Sequence, residues 1–160
     1  KEIKGSILWL YQSNKYSVEN LMKEAEKRNI DSNRLIFATS LPLEKHLARH
    51  RLGDLALDTF NYNGHTTTSD ALWAGLPVLT KIGESFAARV SASLLSAIGL
   101  PELITYSEKE YEEQALKIAK NPNELIRLKS KLALSREVSP LFNTELWTKN
   151  LESKFIELLR

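Results

Sequence analysis

The chain contains no cysteine and only one methionine, and its longest apolar run is Ile7 to Tyr11. Without cysteine there is no disulfide framework, no thiolate metal site and no thiol nucleophile. The absence fits a reducing compartment. A membrane-spanning helix needs about 20 consecutive apolar residues, so none is expected. No signal-peptide pattern is present, and we expect a cytoplasmic protein. An excess of one charge is missing too. Lys+Arg number 22 and Asp+Glu 20, which leaves +2 with the three His neutral. That balance carries no electrostatic footprint for nucleic acid. The basic run Arg127, Lys129, Lys131 and Arg136 is flanked by Glu124 and Glu137 and has no interleaved aromatics, so it does not read as a nucleic-acid strip either. The six glycines stand at 5, 53, 64, 75, 83 and 99. Their spacing excludes both the dinucleotide fingerprint and the phosphate loop. The chain begins at Lys1 and its one methionine is Met22, from which we expect a fragment or a processed chain.

What is present reads as ordinary globular protein, with 42% hydrophobic and 26% charged residues among 160. At roughly 150 residues per domain, residues 1–160 are expected to form a single domain. A domain of this size buries about 70% of its unfolded surface, enough for a core without staples. Short apolar runs lie at Ile7–Leu10, Leu35–Phe37, Leu55–Leu57, Pro77–Thr80 and, more weakly, Leu103–Ile104. Runs without polar alternation predict strands covered on both faces. Between them, Ser17 is placed to cap a helix bearing Val18, Leu21, Met22 and Ala25 on one stripe. Further helices are expected at about 43–50, 67–74 and 84–98. This alternation predicts an α/β fold with a parallel, Rossmann-like sheet flanked by helices. The last third, residues 105–160, reads as helical. Ser107 and Glu110 form a capping box for a helix to about Ala119. Asn121-Pro122 opens a second helix with a stripe of Leu125, Leu128 and Leu132. After the break at Ser139-Pro140, Thr144 or Asn143 starts a third, with Trp147, Leu151, Phe155 and Leu158 expected to face inward.

Three segments could carry chemistry. The richest is Asn63-Gly64-His65-Thr66-Thr67-Thr68-Ser69-Asp70. Asn-Gly makes a tight turn, and the helix that follows presents unpaired N–H groups and a positive dipole end. With hydroxyls and an imidazole beside them, these donors suit a phosphate or diphosphate. Asp70, one turn on, could accept from a ribose diol. Plain capping, with Thr67 and Asp70 as partners, accounts for the same residues. The second segment runs from Leu41 to His50. His46 and His50 share a helix face at a spacing that can serve zinc. However, Leu47 follows His46 where the metalloprotease motif has Glu, and no third ligand is evident. Arg49 shares the face of His46, and the two could flank a flat base. A surface helix with Leu47 inward is the alternative. The third segment is Lys81-Ile82-Gly83-Glu84-Ser85, with a turn at Gly83, capping by Glu84 and Arg89 in the helix beyond. All three follow successive strands. In a parallel sheet such loops share the carboxyl edge, where ligands bind.

Asp54-Leu55-Ala56-Leu57-Asp58-Thr59, Asn63-Gly64-His65-Thr66-Thr67 and Asp70-Ala71-Leu72-Trp73-Ala74-Gly75-Leu76-Pro77-Val78 together resemble the nucleotide-binding lobe of O-GlcNAc transferases. So do Gly83-Glu84 with Ala88-Arg89-Val90, and Ser139-Pro140-Leu141-Phe142-Asn143-Thr144. Order and spacing match over about residues 6–158, and the likeness extends to SPINDLY-like and bacterial TPR-containing members. The resemblance implies the carboxyl-terminal, UDP-binding lobe of a GT-B glycosyltransferase. Such enzymes invert at the anomeric carbon without a metal or other cofactor. They transfer N-acetylglucosamine from UDP-GlcNAc to Ser/Thr of proteins. It further implies that His65, Thr66 and Thr67 contact the diphosphate and Asp70 the ribose. His46, Arg49 and the backbone of Leu41 would contact the uracil. Leu43 stands where well-known members have a nucleotide-contacting Lys, and Asn61-Tyr62 differs from the usual residues before Asn63. The general base, the acceptor lobe and the upstream TPR repeats would lie outside this chain. By itself the chain is then expected to bind UDP weakly or not at all and not to turn over. Two alternatives remain open at this point, another GT-B nucleotide-sugar enzyme and a non-catalytic, partner-binding module of the same fold.

Overall fold

The computed structural model describes residues 1–159, and the chain divides into two units, Lys1–His46 and Leu47 onward. In the first unit, β1 (Leu8–Tyr11) pairs in parallel with β2 (Leu35–Ala38), Leu8 opposite Leu35 and Tyr11 opposite Ala38. Helix α1 (Lys15–Lys27) connects them. Its cap lies three residues before the expected Ser17. Asn14 is the cap, its side chain accepting from Ser17 N–H at 2.9 Å. Ser17 supplies the reciprocal half of the box, its Oγ accepting from Asn14 N–H at 3.4 Å. Arg34 fastens the opening segment by donating to Ser6 O at 2.8 Å and Ile3 O at 2.9 Å. The expectation of strands covered on both faces fails here, since Leu8, Trp9, Tyr11 and Ile36 are exposed. One complete helix in the unit is too little to cover two sheet faces.

Helix α2 (Leu43–His50) crosses the division. The second unit holds a parallel three-stranded sheet in the order β3 (Ala56–Leu57), β4 (Val78–Lys81), β5 (Ile104–Thr105). Ala56 pairs with Val78 and Thr80 with Ile104. Central β4 is the strand that matches the doubly covered expectation, with Val78, Leu79 and Thr80 all buried. Helix α3 (Thr66–Ala74) follows β3 and ends on Gly75, whose φ of 89° lies in the left-handed region that closes helices. Leu72, Leu79, Leu95, Leu100, Leu128 and Leu132 meet in one core, none with any accessible surface.

The expected helix over 84–98 is split into a 3-10 turn at Phe86–Ala88 and α4 (Val90–Ala97). Ser85, not Glu84, is the cap, its Oγ accepting from Ala88 N–H at 3.2 Å. Gly83 N–H donates to Ala88 O at 2.8 Å and closes the loop. A side chain at 83 would put its Cβ 2.7 Å from that of Ala88.

Three helices complete the unit, α5 (Glu108–Lys120), α6 (Pro122–Val138) and α7 (Thr144–Leu158). Ser107 caps α5 as expected, but Glu110 reaches back to Tyr106 N–H, at 2.8 Å, one residue before the cap. The Leu128 and Leu132 stripe of α6 is fully buried and Leu125 packs against the core. Asn143 caps α7 by accepting from Leu146 N–H at 2.9 Å. The expected inward face of α7 does not form. Trp147 is 60% exposed, Phe155 56% and Leu158 82%. The helix packs chiefly on the short turn Pro140–Phe142, which offers too little apolar surface to cover it. No helix among the described residues is long and apolar enough to cross a membrane.

Candidate functional site

The site grows from the end of β3. There the chain leaves the sheet at Asp58, whose N–H still donates to Leu79 O at 3.0 Å. The Asp58 carboxylate turns back into the loop. Its Oδ1 accepts from Thr59 N–H at 2.9 Å and Gly64 N–H at 2.7 Å. Its Oδ2 accepts from the Thr80 hydroxyl at 2.7 Å. Tyr111, from α5, donates its phenol to Asp58 O at 3.0 Å. Burial, and secondarily the Asp58 charge, push the Tyr111 phenol well above its ordinary range, so it stays a donor. The loop is closed further by Thr59 Oγ1, which donates to Tyr62 O, and by Asn63 Nδ2, which donates to Thr59 O at 2.7 Å. Asn63 is 1% exposed, and its Oδ1 has no hydrogen-bond partner.

Gly64 then leads into α3. His65 occupies the cap position but makes no side-chain cap bond. Plain capping by the threonines or Asp70 is therefore not what the helix start contains. Ser69 N–H is bonded to His65 O at 3.1 Å. The N–H groups of the first turn before it point outward from the helix start, with the positive dipole end behind them. Thr66 and Thr67 are exposed, whereas Thr68 is buried against Ser91, 2.9 Å between hydroxyls. Asp70 is half-buried in the second turn. The His65 ring stacks on Tyr62 with centroids 4.8 Å apart and planes at 15°. Its Nε2 lies 3.4 Å from Ala87 O. Phe86 meets the same ring edge-on at 6.2 Å.

The loop after β4 joins this edge. Asn63 N–H donates to Ala87 O at 2.9 Å, and Arg89 Nη1 donates to Gly83 O at 3.2 Å. The Asn63–Asp70 and Lys81–Ser85 segments thus meet at the carboxyl edge of the β3–β4 pair, as expected for parallel neighbours. The Leu41–His50 segment follows β2, in the other sheet. Leu41 is exposed ahead of α2, while His46 and Arg49 are half-buried on it, one turn apart. Leu43 is exposed at its first position. Among the described residues no three His, Asp or Glu side chains group as metal ligands. Two residues that organise the site, Asp58 and Ser91, are not marked as site residues by the sequence. An aspartate directly after a strand was the only local signal for the first, and nothing local marks the second.

Parallel strands alternating with helices, with the Asn63–Asp70 and Lys81–Ser85 segments gathered on the carboxyl edge of β3 and β4, fit a lobe of the GT-B glycosyltransferase class. Residues 1–151 match the family model described as glycosyl transferase family 41, and the chain belongs to that family. It is 34% identical over 152 residues to the UDP-N-acetylglucosamine–peptide N-acetylglucosaminyltransferase of Caenorhabditis elegans, covering 95% of this chain and 13% of that protein. It is 37% identical over 159 residues to the "Probable UDP-N-acetylglucosamine--peptide N-acetylglucosaminyltransferase SEC" of Arabidopsis thaliana, covering 99% of this chain and 16% of the relative. Among solved structures, a lysine-to-methionine variant of the O-GlcNAc transferase of Thermobaculum terrenum superposes with a TM-score of 0.85 at 32% identity. That match covers 93% of this chain and 29% of the other. The chain therefore spans only a small part of the relatives' length.

Proposed function

We propose that this chain is the donor-binding part of an inverting glycosyltransferase that moves N-acetylglucosamine from UDP-GlcNAc to Ser/Thr hydroxyls of proteins. Residues 1–160 would serve as one UDP-sugar-binding lobe, and the protein would work in the cytoplasm. Family membership supports the chemistry. The single local observation that carries the site is the start of α3, a helix end with no side-chain cap and exposed Thr66 and Thr67.

In this reading His65, Thr66, Thr67 and the N–H groups beside them hold the diphosphate. Asp70 accepts from the ribose, and His46, Arg49 and the Leu41 backbone hold the uracil. When the sugar–phosphate bond breaks, negative charge gathers on the departing UDP. Donors already aimed at that position stabilise it without reorganising, and one such donor is worth about 100- to 1,000-fold in rate. They stand in place of a divalent cation, so no cofactor is required. No residue here is assigned as general base. That group, the acceptor site and upstream TPR repeats would belong to the rest of the protein. The 160-residue chain alone would bind UDP weakly or not at all and transfer no sugar.

Calorimetric titration of UDP into the protein carrying both lobes tests the reading, with His65→Ala alongside. Saturable binding that weakens about tenfold or more in His65→Ala is expected, since a hydrogen bond to a charged group is worth about 1.5–3 kcal/mol. Unchanged affinity in the variant would remove the diphosphate from this helix start.

A further inference from the structure

Gly64 is the link between the β3 loop and α3, and it is held at both ends by side chains from elsewhere. Its N–H donates to Asp58 Oδ1 at 2.7 Å. Its carbonyl accepts from Ser91 Oγ, on α4, at 2.9 Å. That carbonyl belongs to the same planar peptide as the His65 N–H, so Ser91 sets the direction of the first donor at the helix start. A serine hydroxyl has one proton. Because Ser91 spends it on Gly64 O, the 2.9 Å contact between Thr68 and Ser91 must run from Thr68 to Ser91. Thr68 is thereby committed to the clamp, while Thr66 and Thr67 are left exposed. Asp58 is held in turn by Thr80, a residue with no accessible surface on the central strand. Thus β3, β4 and α4 all bear on one glycine.

We propose that Asp58 and Ser91 are positioning residues that clamp Gly64 and so aim the donors of the α3 start at the donor's diphosphate. The inference rests on the reading that this helix start receives UDP. It adds two residues that touch no ligand themselves. The geometry of the clamp, not the charge of Asp58, does the positioning. Asparagine at 58 keeps an Oδ1 acceptor for Gly64 and offers an N–H to Thr80, so it should restore what alanine loses.

The test uses Asp58→Ala, Asp58→Asn and Ser91→Ala in the protein carrying both lobes. Hydrogen exchange of the peptide spanning residues 59–66 and UDP affinity are read for each. The alanine variants should exchange faster at Gly64–His65, with protection of β4 and α6 unchanged, and should bind UDP about tenfold more weakly. Asp58→Asn should keep protection and stay within about threefold of the unmodified affinity. Unaltered exchange in both alanine variants overturns the clamp. So does unaltered UDP affinity, or an asparagine variant as weak as the alanine one. If Asp58→Ala does not fold, Thr80→Val decides, since it removes only the Oδ2 anchor. Faster exchange with weaker UDP binding is then expected, and no change in either overturns the proposal. Failure of the unmodified protein to bind UDP overturns the donor reading itself, and with it the ligand half of this one.

Discussion

At position 64 a Cβ would lie 2.5 Å from Thr68 Oγ1 and 2.7 Å from Thr67 Oγ1. Thr67 is exposed and can swing aside, but Thr68 is buried and bonded to Ser91, so it cannot move without breaking the clamp. Gly64→Ala should therefore destabilise the protein by about 1–3 kcal/mol, the usual range for overpacking. A lowered urea midpoint measures it. Core leucines give a second scale. Leu72 has no accessible surface, so Leu72→Ala should cost about 2–5 kcal/mol in the same assay. Glu102 gives a pH-dependent case. Burial raises its carboxyl pKa, but Lys131, bonded at 2.7 and 2.9 Å, and the Arg127 charge outweigh that, and the net shift is downward. A depressed folded pKa adds stability that is complete above the ordinary value of 4.5 and is lost as pH falls through the folded one. The drop in melting temperature between about pH 6 and about pH 3 should accordingly be smaller in Glu102→Gln.

Among the elements, α1 and α3 begin in opposite ways. α1 has a complete capping box in Asn14 and Ser17, so Asn14→Ala should cost about 1 kcal/mol of stability. α3 has His65 at its cap with no cap bond. His65→Ala should cost less than about 1 kcal/mol in melting experiments, with its main effect on ligand. Equal destabilisation by the two changes would make His65 a structural cap. The five strand positions and the helix at 43–50 were legible in the sequence because apolar runs and helical periodicity involve adjacent residues. The start of α1 was misplaced because Ser17 and Asn14 are both good caps by type, and only the chain path chooses between them. The split of 84–98 was not legible. It is imposed by the Gly83–Ala88 bond and the closeness of those two residues, neither of which leaves a periodic signal.

For the whole chain, the two units differ in what they bury. In Lys1–His46 Ala25 is the one buried apolar residue among the described ones, whereas the second unit carries a continuous leucine-rich core. Amides of β1, β2 and α1 should exchange with solvent faster than those of β4, α4 and α6, read by hydrogen-exchange mass spectrometry. Comparable protection in both would mean that the first unit is stabilised by more than its own packing. The sequence by itself determined the parallel α/β class, the order of the elements and the Asn-Gly-His-Thr-Thr segment after β3, because each is written in neighbouring residues. It also carried enough motifs in order for the family to be named. The tertiary structure alone decided that Asp58, Gly64, Thr80 and Ser91 converge, that Ala87 meets Asn63 and His65, and that the apolar stripe of α7 is left uncovered. These depend on the parallel register of β3 with β4 and on what packs against a helix. Residues 20 to 30 positions apart have no local pattern that records either.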